Sequence, residues 1–278
     1  MTSPILVTGG TGTLGRLVVS RLLNAGRVVR VLSRRSREGG EGIKEGGEGI
    51  EFVRGDLATG GGIEEAVEGT EIIVHCAGSS KGDEDKARNL VQAASRGGAR
   101  HLLYISVVGA DTIPLASGID RAMFGYFGSK LTAERAVADS GLPWTTLRAT
   151  QFYDLILMVA RQMARLPVIP VPAGFQFQPI DAGEVADRLV ELALGTPAGL
   201  VDDMAGPRVY EMAELLRSYL RASHHHRPII GVWLPGKAAR AFRAGANLNP
   251  ERAVGRRTWE EFLAARVSSP SDSRSSLA

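Results

Sequence analysis

One cysteine, Cys76, in 278 residues leaves no intramolecular disulfide framework to hold this chain together. It lies in the apolar run EIIVHCAG, which reads as a buried strand, so Cys76 is expected to serve as a small hydrophobe rather than a nucleophile. Strong charge of one sign is missing too. The formal net charge is +3, spread as arginines over several segments, which offers no basic patch to nucleic acid or to a membrane surface. No apolar run reaches the length of a membrane span, and DLILMVARQMARL is interrupted by arginines. The N-terminus opens into the apolar PILVTGG without a basic leader or a small-residue cleavage site, so a cytoplasmic protein is expected. His224, His225 and His226 are consecutive, and three consecutive side chains point in different directions. They are expected to form a polar helix end before Pro228 and not a metal site.

What is present is a regular alternation. PILVTGG (4–10), RVVRVLSRR (27–35), IEFVRGD, TEIIVHCAG, ARHLLYISVVG and PWTTLRATQ read as strands buried on both faces. Between them, TLGRLVVSRLLNAG carries Leu14, Val18 and Leu22 on one helical face and stops at Gly26. GIEEAVEG, EDKARNLVQAASRGG and AMFGYFGSKLTAERAVADSG are the further helices, the last closed by Gly141. This order specifies an α/β chain with a Rossmann-type doubly wound parallel sheet. REGGEGIKEGGEGI, with little to bury, reads as a surface loop.

After residue 150 the rhythm loosens. PVIPVPAGFQFQPI suits extended segments, and PIDAGEVADRLVELALG restarts a helix with Asp181 as N-cap and Glu184 completing a capping-box pattern. VYEMAELLRSYLRAS is amphipathic, and the Ser-rich VSSPSDSRSSLA reads as disordered. The expected organisation is a core over 1–150 to which 179–199 returns. A smaller C-terminal substrate-binding part takes 151–178 and 200–266, and a disordered tail takes 267–278.

TGGTGTLG, residues Thr8, Gly9, Gly10, Thr11, Gly12, Thr13, Leu14 and Gly15, falls between the first strand and the first helix. There a sharp turn, bare backbone and a helix N-terminus together suit a pyrophosphate, so a dinucleotide is expected. An NAD-selective site places a carboxylate at the end of the second strand, to bond the ribose 2′-hydroxyl. This chain has Ser33, Arg34, Arg35, Ser36 and Arg37 instead, which suit a 2′-phosphate. The cofactor indicated is NADP(H) rather than NAD(H).

In chain order, the glycine turn, the basic strand end, RGD at 54–56, HCAG at 75–78, YISVVG at 104–109 and YFGSK at 126–130 resemble the short-chain dehydrogenase/reductase superfamily. GLPWTTLRATQFYD is similar to its atypical NmrA-like, NAD(P)H-binding branch, and the resemblance covers about residues 4–266. It implies that Asp56 lies beside the adenine with Leu57 beneath it, and that Ala77 and Gly78 flank the adenosine ribose. It also implies a catalytic set of Ser106, Tyr126 and Lys130. Tyr126 would protonate a carbonyl oxygen as hydride arrives, and Lys130 would bond the nicotinamide ribose and ease ionisation of the tyrosine. Ser106 would polarise the carbonyl. The chain departs from the pattern at His75-Cys76, where the family usually has two asparagines, and in a longer loop between Ser106 and Tyr126.

A structural alternative pairs Lys130 with Glu134 on a helix surface. Phe152, Tyr153, Phe175 and Phe177 suit either a flat substrate or the core. The function indicated is an NADPH-dependent oxidoreductase acting on a small carbonyl or quinone, without nucleic acid or membrane partners. A non-catalytic NADP-sensing regulator is the alternative reading. A sugar-nucleotide epimerase or dehydratase suits the small C-terminal part less well. A homodimer through the helix bearing Tyr126 remains open.

Overall fold

The chain is described by a computed structural model at residues 3–34, 49–78 and 82–267. Its first half alternates β1 (Ile5–Thr8), α1 (Thr13–Asn24), β2 (Val29–Ser33), β3 (Ile50–Arg54), α2 (Ile63–Val67) and β4 (Ile72–His75). Next come α3 (Asp83–Arg96), β5 (His101–Val107), α4 (Gly118–Ala138) and β6 (Trp144–Ala149). The remainder is α5 (Tyr153–Met163), β7 (Ile169–Pro172), β8 (Gln176–Phe177), α6 (Ala182–Leu194) and β9 (Gly199–Leu200). It ends with β10 (Tyr210–Glu211), α7 (Met212–Ala222), β11 (Ile229–Val232), α8 (Lys237–Arg243) and α9 (Trp259–Val267). Most of the Gly/Glu stretch, Arg35 and the tail from residue 268 lie outside the described residues.

Seven strands form one parallel sheet in the order β3-β2-β1-β4-β5-β6-β9. The doubly wound fold expected from the alternation is therefore present. From β1 the chain moves outward through β2 and β3, then returns to lay β4 on the other side of β1. That reversal opens a crevice at the carboxyl ends of β1 and β4, the place where such sheets bind ligands. Strand residues alternate between two apolar layers even though the strands read as continuous apolar runs. Ile5 and Val7 pack with Leu14, Val18 and Leu22 of α1 and with Val185 and Leu189 of α6. Leu6, Ile73, Leu102 and Tyr104 face the other way, onto Leu90 of α3 and Ala133 and Val137 of α4. Each fully buried leucine or valine contributes roughly 1.5–3 kcal/mol.

One helix start and one capping pattern differ from expectation. Helix α4 begins at Gly118 and not at Ala122, because Ser117 caps it. The Ser117 hydroxyl accepts from Asp120 N at 3.0 Å, and the Asp120 carboxylate accepts from Ser117 N at 3.1 Å. Before α6, Asp181 is the N-cap as expected, accepting from Gly183 N at 2.6 Å. Glu184 does not close the box. Its carboxylate instead accepts from the amides of Arg256 and Arg257 at 3.1 Å, tying α6 to the C-terminal segment.

That C-terminal segment reaches the sheet edge through aromatic packing. Phe124 and Phe127 of α4 meet Phe242 of α8 with ring centroids at 5.2 and 5.6 Å, and Phe175 stacks on Phe242 at 5.0 Å. A second layer of Tyr153, Leu215, Leu216, Trp259 and Phe262 joins α5, α7 and α9. Tyr153 and Phe175 are thus core residues, whereas Phe152 and Phe177 remain partly accessible. His224, His225 and His226 follow the end of α7 instead of forming its last turn, and all three are exposed. Among the described residues no helix is long and apolar enough to cross a membrane.

Candidate functional site

The glycine turn divides its labour among its glycines. Gly9 has φ +70°, and a Cβ there would lie 2.6 Å from the backbone of Ala77, so its missing side chain lets the ends of β1 and β4 meet. A Cβ at Gly15 would lie 2.1 Å from Gly9 O, and one at Gly10 would lie 2.8 Å from Val31 Cγ1. Gly12 is different. It is exposed, its only close neighbour for a Cβ among the described residues is Gly9 O at 3.3 Å, and it N-caps α1 without a side-chain cap. No acidic residue occupies the first turn of α1. The amide end of α1 therefore faces the crevice bare and with its positive dipole end outward, which suits an anion. Thr11 is exposed and Thr13 partly so at this end, and Leu14 is buried beneath it. Thr8 supports the turn from below: it is fully buried, and its hydroxyl lies 2.6 Å from His75 Nδ1.

At the β2 end of the crevice, Ser33 closes the strand and Arg34 follows it exposed. Asp56 shapes the next loop by accepting from Ala58 N at 2.9 Å, and Asn89 donates to Leu57 O at 2.8 Å. At the other end, the ammonium of Lys130 comes up against the HCAG turn. A Cβ on Gly78 would lie 3.3 Å from Lys130 Nζ and 3.5 Å from Asp83 Oδ2. The Tyr126 ring lies 5.8 Å from the same Nζ, at 37% exposure, so tyrosine and lysine share the face of α4 that looks into the crevice. One turn of helix separates them, which is what the four-residue spacing required.

The family model described as NAD(P)H-binding matches residues 9–166, more than half of the chain. This chain belongs to that NAD(P)H-binding family. The (4-alkanoyl-5-oxo-2,5-dihydrofuran-3-yl)methyl phosphate reductase of Streptomyces griseus is 32% identical over 148 residues, 53% of this chain and 48% of that protein. Quinone oxidoreductase 2 of Escherichia coli is 28% identical over 148 residues, 52% of this chain and 47% of that protein. The chain thus spans about half the length of these curated relatives. In three dimensions it resembles the NADPH-dependent quinone oxidoreductase of Escherichia coli complexed with NADPH, with a TM-score of 0.75 at 19% identity. That match covers 94% of this chain and 99% of the other, and it bears out the fold expected from the resemblance to the short-chain dehydrogenase/reductase superfamily.

In this NAD(P)H-binding protein the charges around Tyr126 differ from the sequence expectation. Lys130 is buried; its Nζ lies 3.2 Å from Asp83 Oδ2 and donates to Ile105 O at 3.3 Å. Burial lowers its pKa, and Asp83 opposes that. Tyr126 is not eased toward ionisation. Partial burial first, and the Asp83 carboxylate second, push its hydroxyl up to about 12. Glu134 is not the partner of Lys130 either. It grips Arg148 at 2.9 and 2.7 Å, and Arg148 also bonds Asp111 at 2.8 Å.

Ser106 lies near the end of β5, buried, and its hydroxyl has no hydrogen-bond partner among the described residues. His75 stacks on Tyr104 at 5.2 Å, and burial, with help from Lys130, lowers its pKa to about 3, so the ring is neutral. Cys76 falls just past β4 and not within it; burial pushes its thiol up to about 12, consistent with an inert side chain. Sequence reasoning missed Asp83 and Arg54. Asp83 stands in a run of charges, DEDK, that reads as a solvated helix start, and only the fold turns it inward. Arg54 is exposed and lies directly across from Ser33 in the parallel register of β2 and β3.

Proposed function

We propose that this NAD(P)H-binding protein is an NADPH-dependent oxidoreductase that transfers hydride to a small carbonyl or quinone. The observation that carries the reading is the placement of Tyr126 and Lys130 together on the crevice face, against Gly78. When bound, the dinucleotide supplies the hydride. Gly12 and the bare amides that begin α1 would hold its pyrophosphate, and Lys130 its nicotinamide ribose. Ser33 and the guanidinium of Arg34 would meet a 2′-phosphate, with Arg54 alongside. The end of β2 carries no carboxylate to repel that phosphate.

Tyr126 would donate its proton to the substrate oxygen as the carbon is reduced, and Ser106 would offer its hydroxyl to the same oxygen. Ile119 and Met123 lie seven and three residues before Tyr126, on its side of α4, at 57% and 46% exposure. This apolar strip suits the flat, apolar body of a quinone or aryl ketone. The names of the two reductase relatives support the same reaction class.

The test is NADPH consumption across a panel of quinones, ketones and aldehydes, with Tyr126→Phe beside the wild type. Carbonyl turnover in the variant should fall by about 10²–10⁴ while NADPH affinity is unchanged. Equal turnover in the two proteins would remove Tyr126 from the mechanism. Tight NADPH binding with no turnover of any substrate would favour a dinucleotide sensor instead.

A further inference from the structure

Asp83 is the first residue of α3, preceded by the N-cap Gly82, and its side chain is 1% exposed. A carboxylate at that depth needs compensation, and it has two kinds. The N-terminal dipole of α3 favours its charge. Two ammonium groups also reach it, Lys130 Nζ at 3.2 Å from Oδ2 and Lys86 Nζ at 3.4 Å from Oδ1. Lys130 has the harder position, with a side chain 5% exposed. Buried lysines without a counter-charge lose their proton near neutral pH.

Among the described residues the other groups around Lys130 supply no free negative charge. From the end of β4 comes His75, which is neutral, and from the residue just past it Cys76, which is a protonated thiol. From β5 comes Tyr104, whose ring lies 5.0 Å from Nζ and whose pKa is raised well above its ordinary value by burial. On α4 itself Glu134 is engaged by Arg148 of β6, and on α3 Glu84 accepts from Ser129 at 3.1 Å.

We propose that Asp83 is a positioning residue for Lys130: its buried carboxylate anchors the ammonium against Ile105 O and Gly78 and keeps it ionised, so that it can hold the nicotinamide ribose beside Tyr126. The consequence for Tyr126 rests on the oxidoreductase reading above; the anchoring of Lys130 does not. Beside that charged lysine, burial first and the Asp83 carboxylate second keep the pKa of Tyr126 raised. That combination suits reduction, in which the tyrosine must have a proton to give.

The experiment reads Lys130 directly. In protein labelled at the lysine ε-carbon, the Lys130 resonance is assigned by its loss in Lys130→Met and followed from pH 6 to 9. The wild-type resonance should stay at its charged position through pH 8. In Asp83→Asn the midpoint should fall by about 2 units or more, a ~100-fold rise in the neutral fraction. NADPH affinity in that variant should then weaken as pH rises through the new midpoint. In the Lys130→Met background, Asp83→Asn should cost no further affinity. If Asp83→Asn alone does not fold, the proposal requires that Asp83→Asn/Lys130→Met does, because the unpaired buried charge is gone. An unshifted Lys130 midpoint in folded Asp83→Asn would overturn the proposal. So would the same loss of affinity with and without Lys130, or failure of both variants to fold. Absence of turnover on the substrate panel would count against the oxidoreductase reading while leaving the titration intact.

Discussion

Gly12→Val separates the turn's architecture from its ligand. At Gly12 the backbone has φ −79° and ψ 176°, an extended conformation open to any residue, and a Cβ would touch only Gly9 O at 3.3 Å. The fold should therefore accept the substitution at a cost of about 1 kcal/mol for a poorer N-cap. Binding should not survive it. A branched side chain at the cap stands over the first amides of α1, where the pyrophosphate must approach. Hydrogen bonds to a charged group are worth roughly 1.5–3 kcal/mol each, so blocking two of them removes about 3–6 kcal/mol, or ~10²- to 10⁴-fold in affinity. Titration with NADPH by fluorescence or calorimetry measures the loss, and thermal melting by circular dichroism verifies the fold. Gly15→Ala is the contrast, since its Cβ would fall 2.1 Å from Gly9 O and the damage should appear in the melt. Wild-type NADPH affinity in a folded Gly12→Val protein would mean that the dinucleotide does not use this turn.

Arg34→Ala should weaken NADPH about tenfold and leave NADH affinity unchanged, because in the proposed site the guanidinium bonds the 2′-phosphate that NADH lacks; parallel loss of both cofactors would refute that assignment. Glu134→Gln should cost about 3 kcal/mol in urea unfolding, as it breaks a buried two-point bond to Arg148 while Asp111 still holds the third nitrogen. A change below ~1 kcal/mol would show that the pair behaves as a surface one. Stability should also fall in acid through His75, whose folded pKa of about 3 lies below the ~6.5 of an unfolded chain. The unfolded state takes up the proton first, so this contribution is complete above pH 6.5 and is lost toward pH 3 at about 1.4 kcal/mol per unit. Urea unfolding should give about 2 kcal/mol less at pH 5 than at pH 7. In His75→Gln that difference should shrink, and an equal difference in the two proteins would exclude His75 as its source.

The order of strands and helices through β6 was legible because each buried strand and amphipathic helix advertises its burial in its own residues. Local chemistry also identified the Asp181 cap and the glycine turn. Where a side chain had two partners to choose from, local spacing was no guide. Lys130 and Glu134 are one turn apart and oppositely charged, yet they look away from each other. Desolvation inside the fold favours the bidentate guanidinium of Arg148 for one, and Asp83 at the mouth of α3 for the other. Ser117 capped α4 earlier than the apolar pattern suggested, because its partner Asp120 also ties Ala238 N, 118 residues later in sequence, at 3.1 Å.

The sequence by itself determined the doubly wound α/β class, the crevice-forming turn with its glycines, and the pairing of Tyr126 with Lys130 on one helical face. These follow from periodicities of two and 3.6 residues and from the steric demands of a tight turn, all of which act within a few residues. Only the tertiary structure decided the charge state of the site. An ionisable group responds to whatever lies within a few ångströms and to how much water is left beside it, regardless of distance along the chain. For this reason Asp83, 47 positions before Lys130 in sequence and 3.2 Å from it in space, could not be recognised until α3 and α4 were packed on the same face of the sheet.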